Sequence, residues 1–142
     1  MIRNHYPQLR SLSMRLHLPS IFPGDRFTHL TAHAPQLREL QLKSCAIDDA
    51  TIVRMLPEIA PRLERLTLDL NPLSETPGDI FRVCPMPRLN WLGLRAMHFS
   101  DMTLQSIIDS PLRERMTLRI IQHQGKIGEA MRERLVERFR VV

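Results

Sequence analysis

The feature that most constrains the fold of this chain is an internal repeat that begins with a proline. Four segments align on prolines spaced 28, 26 and 26 residues apart, at Pro7, Pro35, Pro61 and Pro87. Each segment has apolar residues two, five and seven positions after its proline: Leu9, Leu12, Met14, Leu37, Leu40, Leu42, Leu63, Leu66, Leu68, Leu89, Leu92 and Leu94. A weaker fifth segment begins at Pro111 and places Met116 and Leu118 at the fifth and seventh positions. A repeat of this length predicts a stack of similar structural units.

Each repeat is expected to form a short strand followed by a helix. Apolar residues at the fifth and seventh positions alternate with mostly polar ones, which is the pattern of a strand with one buried face. Helices are predicted for residues 25–34 and 77–84. Two more are predicted after capping residues, from residue 49 onward after Asp48 and at 101–109 after Ser100. We expect Pro57 to end or kink the helix that starts at residue 49.

A single strand–helix unit cannot bury its own apolar side, so neighbouring units must stack and share one core. The predicted fold is therefore α/β, a curved leucine-rich repeat solenoid of about four to five repeats. Parallel strands would line its concave face and helices its convex face. We assign residues 1–125 to this solenoid, with repeats that begin near residues 7, 35, 61, 87 and 111.

Residues 126–142 are predicted to form a C-terminal capping helix. Ile127, Met131, Leu135 and Phe139 follow one another at a spacing of four residues, which places them on one face of a helix. Such a stripe is suited to cover the core of the last repeat. A helix that binds a partner or a membrane surface is the alternative, but its alternating charge signs argue against the membrane.

Composition limits the classes of protein to which the chain belongs. Hydrophobic residues make up 43% and charged residues 25%, which are values of a folded domain rather than a disordered one. The net charge of +5 favours an acidic partner or RNA without identifying either. Two cysteines do not make a disulfide framework, and no apolar run reaches the roughly 18–20 residues of a membrane span. The N-terminus also lacks the apolar stretch of a secretory signal, so we expect an intracellular protein with no membrane partner.

The segment from Leu37 to Leu56 carries a more specific pattern, LxxLxLxxC followed by a helix that contains IDDATIVRML. It resembles the cysteine-containing leucine-rich repeats of intracellular F-box/LRR proteins, and the likeness covers roughly residues 7–121. The resemblance implies substrate recognition within a ubiquitin-ligase adaptor. Two departures limit it, because only Cys45 occupies the cysteine position and no F-box segment stands before the repeats. Docking to a ligase scaffold is therefore not predicted from these residues.

In a solenoid of this kind the strand residues between the leucines point out of the concave surface, because strand side chains alternate between faces. These residues are the fourth, sixth and eighth after each proline. They include a basic excess and the only tryptophan of the chain. The predicted partner-binding residues are Trp91, Arg65, Arg95, Arg115, Lys43, Asp69 and Arg119.

Trp91 is expected at the centre of this surface, with Arg65 and Arg115 on the neighbouring strands and Gly93 leaving a shallow gap beside it. An exposed tryptophan among arginines is typical of a binding hot spot, and the expected ligand is a helix or loop of an acidic protein. Two alternatives stay open: an arginine that simply stacks on the indole, and an error in the assumed register.

Catalysis has little support in the sequence. His29 and His33 have the spacing of a metal-binding pair on a helix, but no third ligand accompanies them. Cys45 is predicted to be buried in its repeat, and Cys84 has no basic histidine partner in the sequence pattern. The five glycines are isolated, so no phosphate-binding loop is predicted. We therefore expect a non-enzymatic protein without cofactor or metal.

The favoured function is a protein–protein interaction module. The first alternative is a nucleic-acid-binding solenoid that uses a basic concave face, although base stacking needs more aromatic residues than Trp91 alone. The second is a truncated repeat fragment without a function of its own. It is suggested by the few residues before the first strand, which form no polar cap, and self-association through that first repeat is a related expectation.

Overall fold

The computed structural model describes residues 6–15, 34–96 and 98–142. These form an α/β structure with one sheet of six strands, all parallel and hydrogen-bonded in sequence order. The strands are β1 (Ser11–Arg15), β2 (Glu39–Lys43), β3 (Arg65–Thr67), β4 (Trp91–Ala96), β5 (Thr117–Gln122) and β6 (Arg140–Val141). The helices are α1 (Asp49–Met55), α2 (Gly78–Val83), α3 (Asp101–Ile108) and α4 (Glu129–Arg138), with a 3-10 turn at Ala60–Arg62. The α/β class is thus confirmed, while the helix predicted for residues 25–34 lies, except for Ala34, outside the described residues.

The helices and the strand leucines share one core. Leu40, Leu66 and Leu92 are fully buried, in the same cluster as Ile52 of α1 and Leu104 of α3. Right-handed crossovers between successive parallel strands place such helices on one side of a sheet, which we call the helical side. Strand residues that alternate with the core leucines lie on the opposite side, which we call the open face.

The 26-residue period is visible in the strand register. Glu39 pairs with Arg65 and Arg65 with Trp91, so equivalent positions of successive repeats lie side by side. The same alignment joins Ser11 to Glu39 across the longer first interval. The predicted register is therefore confirmed for the first four strands.

The register predicted for the fifth strand is wrong by two residues. Leu118 pairs with Leu92, whereas the proline alignment had placed Met116 there. Residues before β5 form a turn instead, in which Arg115 has a φ of 61° and donates its N–H to the carbonyl of Arg138 at 2.8 Å. Because the shift is an even number of residues, Leu118 still faces the core and Arg119 still faces the open side.

The predicted helix starts are confirmed. The side chain of Asp48 accepts the N–H of Thr51 at 2.8 Å, and Ser100 accepts the N–H of Thr103 at 3.1 Å. These bonds satisfy backbone donors that have no partner inside a helix. The hydrogen bonds from Thr51 also lower the pKa of Asp48. The first helix ends at Met55, before Pro57, as the proline predicted.

The turn after β2 is held by a side chain of the next repeat. Two of its residues, Ser44 and Ala46, have φ values of 51° and 52°, which cost energy in residues other than glycine. The Asn71 carboxamide oxygen accepts the N–H groups of Cys45 at 3.0 Å and Ile47 at 3.3 Å. Its amide group donates to the carbonyl of Leu42 at 2.8 Å. One asparagine thus satisfies three backbone groups of a strained turn.

The C-terminal segment contains more than the predicted helix. Leu135 and Phe139 are each only 1% exposed, and the half-buried Ile127 and Met131 pack against the same core. The helix ends at Arg138, however, and the chain continues as β6 beside β5. A two-residue strand has too little alternation to be predicted from sequence. The domain limits at residues 125 and 126 stay a prediction.

Candidate functional site

Five of the seven predicted binding residues lie on strand positions of the open face. Trp91 and Arg95 belong to β4, Arg65 to β3, Lys43 to β2 and Arg119 to β5. The register places Arg119 beside Gly93, and thus on the same face as Trp91 two residues earlier. Whether these residues bind a partner stays a prediction, but the structure brings them onto one surface.

The Trp91 indole lies along its own strand and covers Gly93. A Cβ atom added at Gly93 would come within 2.7 Å of the Cζ3 and Cη2 atoms of the indole and 3.2 Å of the Thr67 hydroxyl. Gly93 is therefore the residue that lets the ring approach the sheet. The shallow gap predicted beside Trp91 is not there, because the ring itself occupies that space. This corrects the expectation that a partner could press against Gly93.

Arg65 covers one face of the Trp91 ring. Its guanidinium carbon lies 4.7 Å from the ring centroid, within the range of a cation–π contact. The two residues are direct partners in the β3–β4 register. The stacking contact is thus present and a register error at Trp91 is excluded, but whether the half-buried ring is also a binding hot spot stays a prediction.

The second predicted neighbour of Trp91, Arg115, is not beside it. Thr117 pairs with Trp91 instead, because the turn before β5 takes up the two residues of the register shift. Next to Thr117 lies Arg140 of β6, which sequence reasoning missed because it did not predict that strand. On the β5 side, the arginine in register with Gly93, over which the Trp91 ring lies, is therefore Arg119.

Asp69 differs from the other predicted binding residues because it is buried and follows the last residue of β3. Strand β3 ends at Thr67, and the following Leu70 turns the chain with a φ of 56°. Asp69 is only 4% exposed, and its backbone carbonyl accepts the N–H of Ser44 at 2.9 Å. The N–H of Leu70 donates to the carbonyl of Arg95 at 2.8 Å, so alternation from Thr67 keeps Asp69 on the side of the open face, next to Arg95, although its side chain is almost fully covered.

Arg95 makes a contact that the sequence did not reveal. Its Nε donates a hydrogen bond to Nε2 of His123 at 2.8 Å. His123 follows the last residue of β5, and its backbone N–H donates to the carbonyl of Ala96 at 3.2 Å. The contact fixes the guanidinium at the carboxyl end of β4.

The strand positions of the open face, as far as the structure describes them, carry one carboxylate and six cationic groups. The carboxylate is Glu39, and the cationic residues are Arg15, Lys43, Arg65, Arg95, Arg119 and Arg140. The two ion pairs found within the described ranges lie elsewhere, Arg38–Glu64 at 2.7 Å and Arg82–Asp79 at 3.7 Å. The open face therefore carries an excess of positive charge, even when the buried Asp69 at the end of β3 is counted.

The structure shows no metal-binding group in the part of the chain that it describes. No three histidine, cysteine or acidic residues come together there, and His29 and His33 lie outside it. Cys45 is fully buried as predicted, and burial raises the pKa of the Cys84 thiol, which disfavours the nucleophilic thiolate. None of the helices in the described segments is long and apolar enough to cross a membrane.

No model of a known protein family matches the sequence, and a comparison with curated proteins finds no match. Function is therefore inferred from the fold and from the chemistry of the open face.

Proposed function

We propose that the chain is a curved leucine-rich repeat solenoid that acts as a non-catalytic interaction module. Its concave surface would be the open face, and its ligand an acidic helix or loop of another protein. In an F-box-like adaptor, which the resemblance of residues 37–56 implies, that ligand would be a substrate protein inside the cell.

Support for the solenoid comes from contacts that recur at the repeat interval. The Asp49 carboxylate accepts hydrogen bonds from the N–H of Ser74, at 3.0 Å, and from its hydroxyl. One repeat later, Glu75 accepts the hydroxyl of Ser100 in the same way. Both partners are displaced by 26 residues, which is the spacing of the central prolines. Repeated contacts between nearest neighbours are the defining property of a solenoid.

The observation that carries the binding proposal is the set of uncompensated arginines around Trp91. Complementary charge attracts a partner over distance and fixes its orientation, while a half-buried tryptophan supplies apolar contact area at the centre. The cationic side chains of this face outnumber its carboxylates six to one among the described strand positions, which favours an acidic partner.

A nucleic acid fits this surface less well. Single-stranded binding uses a series of aromatic rings on which bases stack, and Trp91 is the only aromatic side chain on the described strands of the open face. Arg65 already covers one face of that ring. Phosphate contacts alone would give binding that weakens steeply with salt and depends little on Trp91.

The proposal is tested with immobilised protein in cell extract at low and moderate salt. The variants are the double substitution Trp91→Ala with Arg95→Glu, the single Arg119→Glu, and Arg115→Glu as a matched control. Arg115 is exposed and lies four residues from Arg119, but the register puts it outside the open face. We expect a specific protein to be retained by wild type and by Arg115→Glu, and lost with the double variant.

A second experiment uses a purified peptide as the ligand, so that binding does not depend on the contents of an extract. Because Trp91 is the only tryptophan, its emission reports directly on the open face. Titration with a polyglutamate peptide should change the emission, and Arg119→Glu should weaken binding about tenfold while Arg115→Glu leaves it unchanged. Equal recovery of proteins by all variants, or recovery of nucleic acid alone, would exclude this function.

A further inference from the structure

Three arginines outside the open face donate their terminal nitrogens to acceptors of a neighbouring repeat. An Nη atom of Arg38 contacts the Glu64 carboxylate at 2.7 Å. An Nη atom of Arg82 donates to the carbonyl of Asp109 at 2.9 Å, and one of Arg138 to the carbonyl of Leu112 at 2.7 Å. These contacts join neighbouring repeats and leave the guanidinium groups engaged in the structure itself.

The two arginines nearest the Trp91 ring on β3 and β4 are held differently. Arg65 lies on the indole, and Arg95 donates only its Nε, to the imidazole of His123. Within the described residues, neither guanidinium has a carboxylate partner, and the Nη atoms of Arg95 have no acceptor. Each side chain is thus positioned by an aromatic ring, and its guanidinium forms no ion pair with a described residue.

The contact with His123 also determines how Arg95 can bind an anion. A guanidinium takes a carboxylate in a bidentate manner either through Nε and one Nη or through both Nη groups. The first mode is blocked, because Nε already donates to His123 at 2.8 Å. The pair of Nη groups remains, and it is held in one orientation at the carboxyl end of β4.

We infer that Arg95 is a preset receptor for a carboxylate of the partner and that His123 is its positioning residue. This rests on the proposed function, since it assigns a specificity-determining contact within the same open face. Holding a flexible side chain in its bound orientation removes an entropy cost that binding would otherwise carry, which corresponds to about a three- to tenfold gain in affinity. A carboxylate at position 123 would hold Arg95 equally well but would neutralise it, whereas the imidazole leaves the charge for a ligand.

Three substitutions of His123 separate these contributions. In His123→Gln, the side-chain oxygen can replace Nε2 as the acceptor without adding charge. In His123→Leu the acceptor is removed, and in His123→Glu the acceptor is retained but Arg95 is neutralised. His123 is exposed, so none of the three is expected to prevent folding.

Binding of a polyglutamate peptide, followed through Trp91 emission, tests the inference. We expect wild-type affinity for His123→Gln, a three- to tenfold loss for His123→Leu, and a loss of tenfold or more for His123→Glu. In NMR spectra, the Nε–H signal of Arg95 should persist in wild type and His123→Gln and exchange faster in His123→Leu. This signal reports the hydrogen bond whether or not a peptide is present.

Wild-type affinity for His123→Leu, or a loss for His123→Gln equal to that for His123→Leu, would overturn the role of His123. If Arg95→Glu abolishes binding while all three His123 variants bind normally, the proposed function stands and only the positioning role fails. If the peptide binds wild type and Arg95→Glu equally, or binds neither, the open face is not an acidic-ligand site and both proposals fail.

Discussion

The open face and the helical side use the same polar residue types for different purposes. On the helical side and at the turns, polar groups meet between repeats, as in the bonds of Asn71 to the β2 turn and of Glu75 to the start of α3. On the open face, arginines meet an indole and an imidazole and keep their charge. Polar groups with buried or backbone partners contribute to stability, whereas uncompensated surface charge contributes to association.

This difference separates the effects that substitutions should have. Changes at the polar contacts between repeats are expected to lower the free energy of unfolding, and changes among the open-face arginines to alter binding with little effect on stability. The proposed binding site can therefore be altered without loss of the fold. Substitutions of Asn71, Gly93 and Glu75 test the effects on the folded structure, and the Arg119 and His123 variants test the effects on binding.

The largest effect is expected from Asn71→Ala. The substitution leaves the N–H groups of Cys45 and Ile47 and the carbonyl of Leu42 without their partner in a turn that already contains residues of positive φ. We expect a loss of about 2–4 kcal/mol in the free energy of unfolding, measured by urea denaturation. Asn90→Ala is the control, since Asn90 is exposed. Equal stability of the two variants would show that the asparagine contacts do not hold the repeats together.

A smaller effect is expected from Gly93→Ala, a substitution on the open face beneath the Trp91 ring. The new Cβ would come within 2.7 Å of the Trp91 ring, so the ring must move away from the sheet and lose its packing on β4. We expect a cost of about 1 kcal/mol and a red shift of the Trp91 emission as the indole becomes more exposed. Gly128→Ala, where no atom lies within 4 Å of the added Cβ, should leave the emission unchanged. An unshifted spectrum for Gly93→Ala would contradict the ring position.

The sequence predicted the parts of the fold that depend on alternation and failed where backbone turns interrupt it. The 26-residue period gave the correct partners of Arg65 and Trp91, because equivalent positions of stacked units must align. The alignment on Pro111 predicted Arg115 beside Trp91. This was wrong because the segment between the proline and the strand is two residues longer here than in the other repeats. The burial of Asp69 was not predicted, because alternation does not tell how closely neighbouring residues cover a side chain.

The chemistry of the candidate site was less predictable than its location. Alternation of strand residues assigns Trp91 to one face of the sheet, but it does not tell in which direction the ring lies. The direction of the ring is the reason that Gly93 is covered. The contact of Arg95 with His123 joins residues 28 positions apart, at the ends of two strands. Contacts of this kind depend on side-chain rotamers and on the turn that follows β5, neither of which has a periodic signal.

The smallest effect is expected from the pH dependence of the polar contact at Glu75. Hydrogen bonds from the hydroxyls of Ser100 and Thr103 lower the pKa of this exposed carboxyl below its ordinary value of 4.5. Because the pKa is lower in the folded protein, the stabilisation is present above pH 4.5 and is lost as the pH falls through the folded value. Glu75→Gln should therefore show a smaller drop in thermal midpoint than wild type between pH 6 and about pH 3. Glu133→Gln on the exposed surface of α4 should keep the wild-type drop, and the same result for both variants would mean that the contacts at the helix starts add no pH-dependent stability.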